Sequence, residues 1–111
     1  MNSFILMGRI VKDIKLEKDK EGAEWCTVVL AITRPVKNDE GLHDTDFIDV
    51  ILKNGIATNT MKYCKKGDMI GVRGRIERLS DDDMKLVADK LYFVPSDKGE
   101  GVEKWIKLYF K

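Results

Sequence analysis

Residues 47–76 decide the fold of this chain, and they read FIDVILKNGIATNTMKYCKKGDMIGVRGRI. Apolar side chains alternate with others over 47–53 and again over 69–76, and this period of two predicts strands with one buried face. The segment between them has spacings of three and four, which predict a short helix with one apolar face made of Ile56, Ala57, Thr60, Met61 and Cys64. Gly67 is expected to end that helix. The order is therefore strand, helix, strand.

Similar apolar stretches precede and follow this segment, and clusters of Gly, Asp, Asn or Lys bound them: Phe4–Leu16, Trp25–Arg34 and Met84–Val94. The complete order predicts an all-β, five-stranded Greek-key barrel of the oligonucleotide/oligosaccharide-binding (OB) class, with one short helix between strands 3 and 4. Gly8, near the middle of the first stretch, predicts a bend that lets one strand serve both halves of a closed sheet. Such barrels often hold single-stranded nucleic acid, which suggests a function by analogy.

Composition narrows the function classes. With 20 basic and 19 acidic side chains the net charge is +1, which argues against binding duplex DNA by bulk charge. No apolar run approaches the roughly 20 residues that span a bilayer, and no basic region precedes the first apolar run, so we expect a cytoplasmic protein without a secretory signal. Cys26, Cys64 and the single His43 form no metal-ligand pattern or nucleophile set, so we expect no cofactor, no metal and no catalysis.

The alternation also predicts which side chains leave the barrel. Three inward rows are expected, namely Cys26, Val28, Leu30 and Ile32, then Ile48, Val50 and Leu52, then Ile70, Val72 and Ile76. Phe47 and Lys53 must then project outward together, with Trp25 on the neighbouring strand. Arg73 and Arg75 project from the fourth strand, and Arg9 and Lys12 belong to the first. Rings and cations on one face are typical of single-strand binding.

Several short motifs resemble the bacterial single-stranded DNA-binding protein family in order and spacing. They are Ile5-Leu6-Met7-Gly8-Arg9-Ile10, Leu30-Ala31-Ile32-Thr33-Arg34, Thr45-Asp46-Phe47-Ile48, Gly55-Ile56-Ala57, Lys66-Gly67 and Val72-Arg73-Gly74-Arg75-Ile76. The resemblance implies a homo-tetramer or dimer that coats single strands during replication, repair, recombination or DNA transfer. It implies a base-stacking role for Phe47, and the expected DNA-binding set is Phe47, Lys53, Arg73, Arg75, Arg34, Arg9, Lys12, Lys37 and Trp25.

The chain departs from the family pattern at three stacking positions. Pro35 and Val36 follow the Arg34 motif where relatives carry an aromatic, and Lys53 takes another aromatic place. A short acidic connection, residues 80–83, replaces a long hairpin that often carries a third ring. Asp49 shares the outward row of Phe47 and would repel phosphate. We therefore expect weaker binding or a shorter footprint. The loop at residues 35–44, with Lys37, is either a wrap over the nucleic acid or a solvated hairpin tip.

The chain is expected to divide into an OB single-stranded DNA-binding domain, residues 1–94, and an extension, residues 95–111. The period of two at Ile106, Leu108 and Phe110 predicts an additional strand, packed on the barrel or at a subunit interface. This ending differs from the acidic tail of relatives that recruit replication proteins, so recruitment through a tail is not expected. One alternative function stays open: a protein-interaction OB module of the primosomal replication-restart type. Binding of oligo-dT at low salt would separate the two.

Overall fold

The computed structural model describes residues 1–94. They form six strands and one helix: β1 (Phe4–Ile10), β2 (Glu17–Lys18), β3 (Glu24–Lys37), β4 (His43–Lys53), α1 (Asn54–Tyr63), β5 (Met69–Ser80) and β6 (Asp83–Phe93). Without the two-residue β2, the order is the predicted five strands with a helix between the third and fourth. The predicted extension and its additional strand lie outside the described residues.

Two long antiparallel hairpins, β3–β4 and β5–β6, supply most of the sheet. β4 and β6 join them in parallel, where Val50 lies opposite Leu86 and Ile51 opposite Val87. β1 closes the barrel, because it pairs with β5 along most of its length and with β3 at Arg9 and Ile10. The predicted OB barrel is thereby confirmed.

Gly8 lies where β1 passes from one half of the barrel to the other, as the sequence predicted. A Cβ there would stand 2.8 Å from Cγ1 of Ile32 and 2.9 Å from the carbonyl oxygen of Ala31. These distances are shorter than van der Waals contact, so only glycine lets the two backbones approach.

The core confirms the predicted inward rows in the barrel proper. Cys26, Val28 and Leu30 of β3 are buried and pack with residues of the other strands and the helix, including Ile10, Val50, Leu52, Ala57, Ile70 and Val72. Ile32 and Ile48 are half-buried against this cluster. α1 covers one end of the core through Ala57 and Thr60, and the hydroxyl of Thr60 donates to the carbonyl of Ile56 at 2.7 Å. Its polar group is thus satisfied within the helix.

The strand ends differ from the prediction. β1 stops at Ile10 and not at Leu16, because the amide of Ile10 donates to Asp68 and its carbonyl accepts from Gly67, so the β5 pairing ends there. β3 and β4 continue through half of the predicted 35–44 loop and leave a turn in which Asn38 Oδ1 accepts from the amides of Glu40 and Leu42. The 35–44 segment is therefore half two-stranded arm and half turn, with an irregular register between Thr33 and Lys37.

Three further expectations were wrong. Ile76 is 40% exposed because it lies beyond the last β1–β5 pair, and on that side the side chain of Asn2 replaces a strand as the partner of its backbone. Met61 is 45% exposed, since the helix presents a narrower face to the core. Gly67 does not end the helix. α1 ends at Tyr63, and Gly67, with φ of 101°, forms the turn that leads into β5.

Candidate nucleic-acid interface

The outer face of the β3–β4 hairpin carries the predicted ring and cation together. Phe47 is 66% exposed, which confirms its outward orientation, while its neighbour Ile48 turns toward the core. Lys53 is exposed on the same row, six residues further along β4. At about 3.3 Å per residue the two positions are roughly 20 Å apart.

A cation flanks Phe47 across the sheet. Ala31 of β3 lies opposite Phe47 on one side and opposite Arg9 of β1 on the other, so the three residues form one cross-strand row. With strands spaced about 4.8 Å apart, the backbones of Arg9 and Phe47 are roughly 10 Å apart, with only the methyl group of Ala31 between them. Nη1 of Arg9 donates to the carbonyl of Gly67 at 2.7 Å, which orients the guanidinium group and leaves other N–H groups for a phosphate.

Trp25 occupies the other end of this face. It pairs across the sheet with Lys53, and it is half-buried. Ile51 lies between the two ends on the row of Phe47 and is also half-buried. Asp49 is exposed in the middle of that row and places a carboxylate between the rings. The face is therefore aromatic at both ends, with a cation beside each ring and a carboxylate in the centre.

Arg34 and Lys37 lie on the arm of β3–β4 that extends beyond the barrel. The guanidinium group of Arg34 donates to Asp46 through two bonds, Nε to Oδ2 at 3.0 Å and Nη2 to Oδ1 at 2.9 Å. The hydrogen bond and charge of Arg34 hold the pKa of the Asp46 carboxyl below its ordinary value. Lys37 is exposed opposite His43. The arm thus carries one paired cation and one exposed lysine.

The structure does not bring Arg73 and Arg75 onto the face of Phe47. Both lie on β5, which β1 and β6 separate from the β3–β4 hairpin on the two sides. Arg75 is paired with two carboxylates, Glu77 at 2.6 Å and Asp89. Arg73 is exposed, and no ion pair of its side chain is found within residues 1–94. Lys12 is exposed in the connection after β1.

Sequence reasoning missed Lys90. It lies on β6 directly opposite Arg73 of β5 and is exposed. Arg73 and Lys90 thus form a cross-strand row of two cations. The register shifts between Arg73 and Gly74, so a simple count of alternation from Met84 does not predict this pairing. Across β1, Ile5 completes the row as an exposed apolar residue.

The two thiols do not form a reactive or metal-binding group. Burial raises the pKa of Cys26 and of Cys64 to about 11, so both stay protonated at neutral pH. Within residues 1–94 no group of three His, Cys, Asp or Glu side chains could hold a metal ion. The same residues contain no helix long and apolar enough to cross a membrane.

Known proteins resemble this chain in sequence. Single-stranded DNA-binding protein B of Bacillus subtilis is 39% identical over 79 residues, which are 71% of this chain and 70% of that protein. Single-stranded DNA-binding protein 2 of Listeria innocua is 34% identical over 110 residues, which cover 91% of this chain and 69% of the relative. A third relative, single-stranded DNA-binding protein 3 of Listeria innocua, is 38% identical over 77 residues, and the match spans 48% of its length. The match to these curated relatives thus covers from about half to 70% of their length.

A solved structure resembles the fold. The SSB domain of a Synechococcus protein superimposes with a TM-score of 0.65 at 17% identity, over 83% of this chain and 94% of that domain. The sequence model of the Single-strand binding protein family matches residues 1–90. These relatives are named for binding and not for a reaction, in agreement with the expected lack of catalysis. The resemblance predicted from the short motifs is confirmed, and the chain belongs to the single-strand binding protein family.

Proposed function

We propose that this chain binds single-stranded DNA without reading its sequence, through the outer face of β3–β4. The observation that carries the proposal is Phe47, a large apolar ring that is 66% exposed on a regular strand. A ring held in water by a rigid strand, with Arg9 on the same cross-strand row, is suited to stack one base and bind the adjacent phosphate. The relatives that cover two thirds or more of this chain are named single-stranded DNA-binding proteins.

The binding mode follows from the two ends of the face. A base stacks on Phe47, and the phosphate beside that base binds Arg9. A phosphate further along the strand binds Lys53, roughly 20 Å away along β4. Such a span fits the lower part of the range of about 4–16 nucleotides per OB barrel. Asp49 repels the strand between these contacts, so the affinity of one barrel is expected to be modest.

A longer strand can reach the second row of cations, Arg73 and Lys90, on the β5–β6 wall.

We further propose that the protein is a homo-oligomer, either a tetramer or a dimer, and that it coats single strands in replication, repair, recombination or DNA transfer. Two features support association: Ile5 is 49% exposed on β1, and within the described residues most of β1 has a strand neighbour on one side only.

The proposal is tested by titrating labelled oligo-dT of graded length at low salt and measuring anisotropy. The mass of the complex from light scattering gives the nucleotides bound per chain. Phe47→Ala should weaken the binding of oligonucleotides of every length by about 1–3 kcal/mol, because every complex loses the stacking of one base. Phe47→Leu should weaken it nearly as much, since leucine keeps apolar area but has no π-face. The control is Leu79→Ala, which shortens another exposed apolar residue, at the end of β5.

Arg73→Ala should behave differently. It should leave short oligonucleotides unaffected, weaken the binding of long ones, and reduce the salt slope by about one phosphate contact, whereas Phe47→Ala leaves the slope unchanged. Normal binding by Phe47→Ala would mean that the contact face lies elsewhere on the barrel. Failure of the unmodified chain to bind oligo-dT at low salt would favour the alternative, an interaction module of the replication-restart type.

A further inference from the structure

A pocket of about 340 Å³ opens at the Trp25 end of the β3–β4 face. It lies where β3 begins, β4 ends and α1 starts, beside the turn that follows β2. Trp25 and Ile51 supply apolar walls, and the polar groups come from Lys53, Asn54 and two acidic residues, Asp19 and Glu24. The volume is near the lower end of the roughly 300–1,000 Å³ of small-molecule sites, so the pocket suits a single flat ring system.

The acidic wall of this pocket is fixed in position. Oδ1 of Asp19 accepts hydrogen bonds from the amides of Glu21 and Ala23, both at 2.9 Å, and so holds the turn between β2 and β3. Among the described residues, Oδ2 of Asp19 accepts no hydrogen bond. The pocket therefore combines an indole ring, an ammonium group and a preoriented carboxylate oxygen.

We propose that this pocket binds one nucleobase of the bound strand and favours a base with an exocyclic amino group over thymine. This inference rests on the proposed function and deepens it. The base packs against Trp25 and Ile51, and Lys53 neutralises the phosphate beside it. The amino group of cytosine, adenine or guanine donates to Oδ2 of Asp19, whereas the O4 atom of thymine is an acceptor and is repelled by the carboxylate.

The occupant is a base of the same strand because the pocket continues the proposed interface. Trp25 is the direct cross-strand neighbour of Lys53, and Lys53 lies on the row of Phe47. A strand stacked on Phe47 that follows β4 toward the helix reaches the pocket after roughly 20 Å. The indole ring on β3 then provides the stacking surface that Lys53 cannot provide at the end of β4.

The first experiment asks whether a base enters the pocket. The chain has two tryptophans, Trp25 and Trp105, so Trp105→Phe leaves Trp25 as the only indole. Saturation of this variant with oligo-dT containing one central dC should quench the Trp25 fluorescence, while anisotropy of the labelled oligonucleotide reports binding separately. Normal anisotropy without quenching would overturn the pocket proposal and leave the proposed function intact. Absence of any binding would overturn the proposed function itself.

The second experiment asks whether Asp19 selects the base. The unmodified chain should bind oligo-dT with one central dC about threefold to tenfold more tightly than oligo-dT of the same length, the effect of one hydrogen bond. Asp19→Asn keeps an oxygen to hold the turn but presents an N–H₂ group where Oδ2 was. This variant should lose or invert the preference, because its donor now matches O4 of thymine.

The matched control is Glu21→Gln, which removes the same charge from the same turn but from a residue that does not line the pocket. It should raise the affinity for both oligonucleotides equally and preserve their ratio. Circular dichroism checks that the Asp19→Asn barrel is folded. An equal ratio in the unmodified chain and in Asp19→Asn would overturn the role of Asp19, and an unchanged Trp25 signal would overturn the pocket.

Discussion

At the scale of single residues, the basic side chains of this barrel differ in whether they already form an ion pair with a carboxylate. Arg34 binds Asp46 through two hydrogen bonds, and Arg75 binds both Glu77 and Asp89. A phosphate that approaches either group must displace a carboxylate. Arg9 and Lys53 carry no such ion pair within residues 1–94. Basic residues of equal charge are therefore unequal as phosphate ligands.

Asp46→Asn should release Arg34 and tighten oligo-dT binding severalfold at low salt, with a salt slope steeper by about one phosphate contact. The reason is that a neutral amide competes poorly with phosphate for the guanidinium group. The measurement is the anisotropy titration repeated at several salt concentrations. Asp82→Asn, in the exposed turn between β5 and β6, removes an equal charge and should have a much smaller effect. Equal gains in both variants would assign the effect to net charge and not to Arg34.

Acid should not release Arg34 near neutral pH. Because Arg34 lowers the pKa of Asp46 below its ordinary 3.8, the carboxyl stays charged through the neutral range and the pair is lost only as the pH falls below that value.

Sequence reasoning predicted Arg34 as a cation but could not predict its partner. The two residues are twelve positions apart, and only the register of β3 on β4, with Ile32 opposite Asp46, brings them together.

At the scale of elements, the register irregularity between β5 and β6 lies where these two strands approach most closely. A Cβ on Gly74 would stand 2.0 Å from the carbonyl oxygen of Val87 on β6, a distance that no side chain tolerates. The strand shifts its register on β6 between Arg73 and Gly74. Gly74 thus allows the close crossing, and next to it Arg73 of β5 and Lys90 of β6 lie opposite each other and are both exposed.

Gly74→Ala should lower the free energy of unfolding by about 1–3 kcal/mol, since backbone atoms of β6 must move to admit the methyl group. Urea unfolding measures the change. The matched control is Gly55→Ala, near the start of α1, where a Cβ meets nothing within 4 Å. That variant should be neutral or more stable by about 0.5–1 kcal/mol, because alanine restricts the unfolded chain. Wild-type stability in Gly74→Ala would contradict the close approach.

The strands and their inward rows were predictable because one face of each strand meets the core, and burial imposes a period of two. The strand ends were not predictable from that signal. From Thr33 of β3 and Ile76 of β5 onward most residues of these two strands are exposed, and the sequence no longer alternates regularly in hydrophobicity. The exposed Ile76 has the same cause.

At the scale of the whole molecule, buried thiols link stability to alkaline pH. Burial raises the pKa of Cys26 from 9.0 to about 11, so the folded state keeps the proton where the unfolded state loses it. The stability from this difference is complete below pH 9 and is lost as the pH rises through 11. Cys64 acts in the same direction, with burial as the larger cause and Asp68 as the smaller.

Urea unfolding under reducing conditions should therefore show stability that falls between pH 9 and 11, with about 2 kcal/mol attributable to Cys26. Cys26→Ala should be less stable at pH 8, because the substitution leaves a cavity, but should lose less stability on the way to pH 11. A pH dependence identical to that of the unmodified chain would show that other groups govern alkaline unfolding.

The position of the candidate site was partly predictable at this scale. Alternation alone placed Phe47, Lys53 and Trp25 on one surface, because neighbouring strands of a hairpin share their register. The separation of Arg73 from that surface depends on barrel closure, which pairs β5 with β1 and β6. The pocket beside Trp25 depends on a turn held by Asp19, and no hydrophobic pattern reports such a contact.

The closed barrel consists of two groups of strands, which we call shells. One is the β3–β4 hairpin, and the other is β5 and β6 with β1. In the described part of the chain their backbones meet along two narrow seams, one at Val50 and Ile51 of β4 and one at residues 9–11, at the end of β1. Cohesion between the shells rests mainly on the apolar side chains they enclose. A nucleic-acid strand long enough to run from Phe47 to Arg73 would cross a seam and bind both shells. The motion of one shell relative to the other would then be reduced.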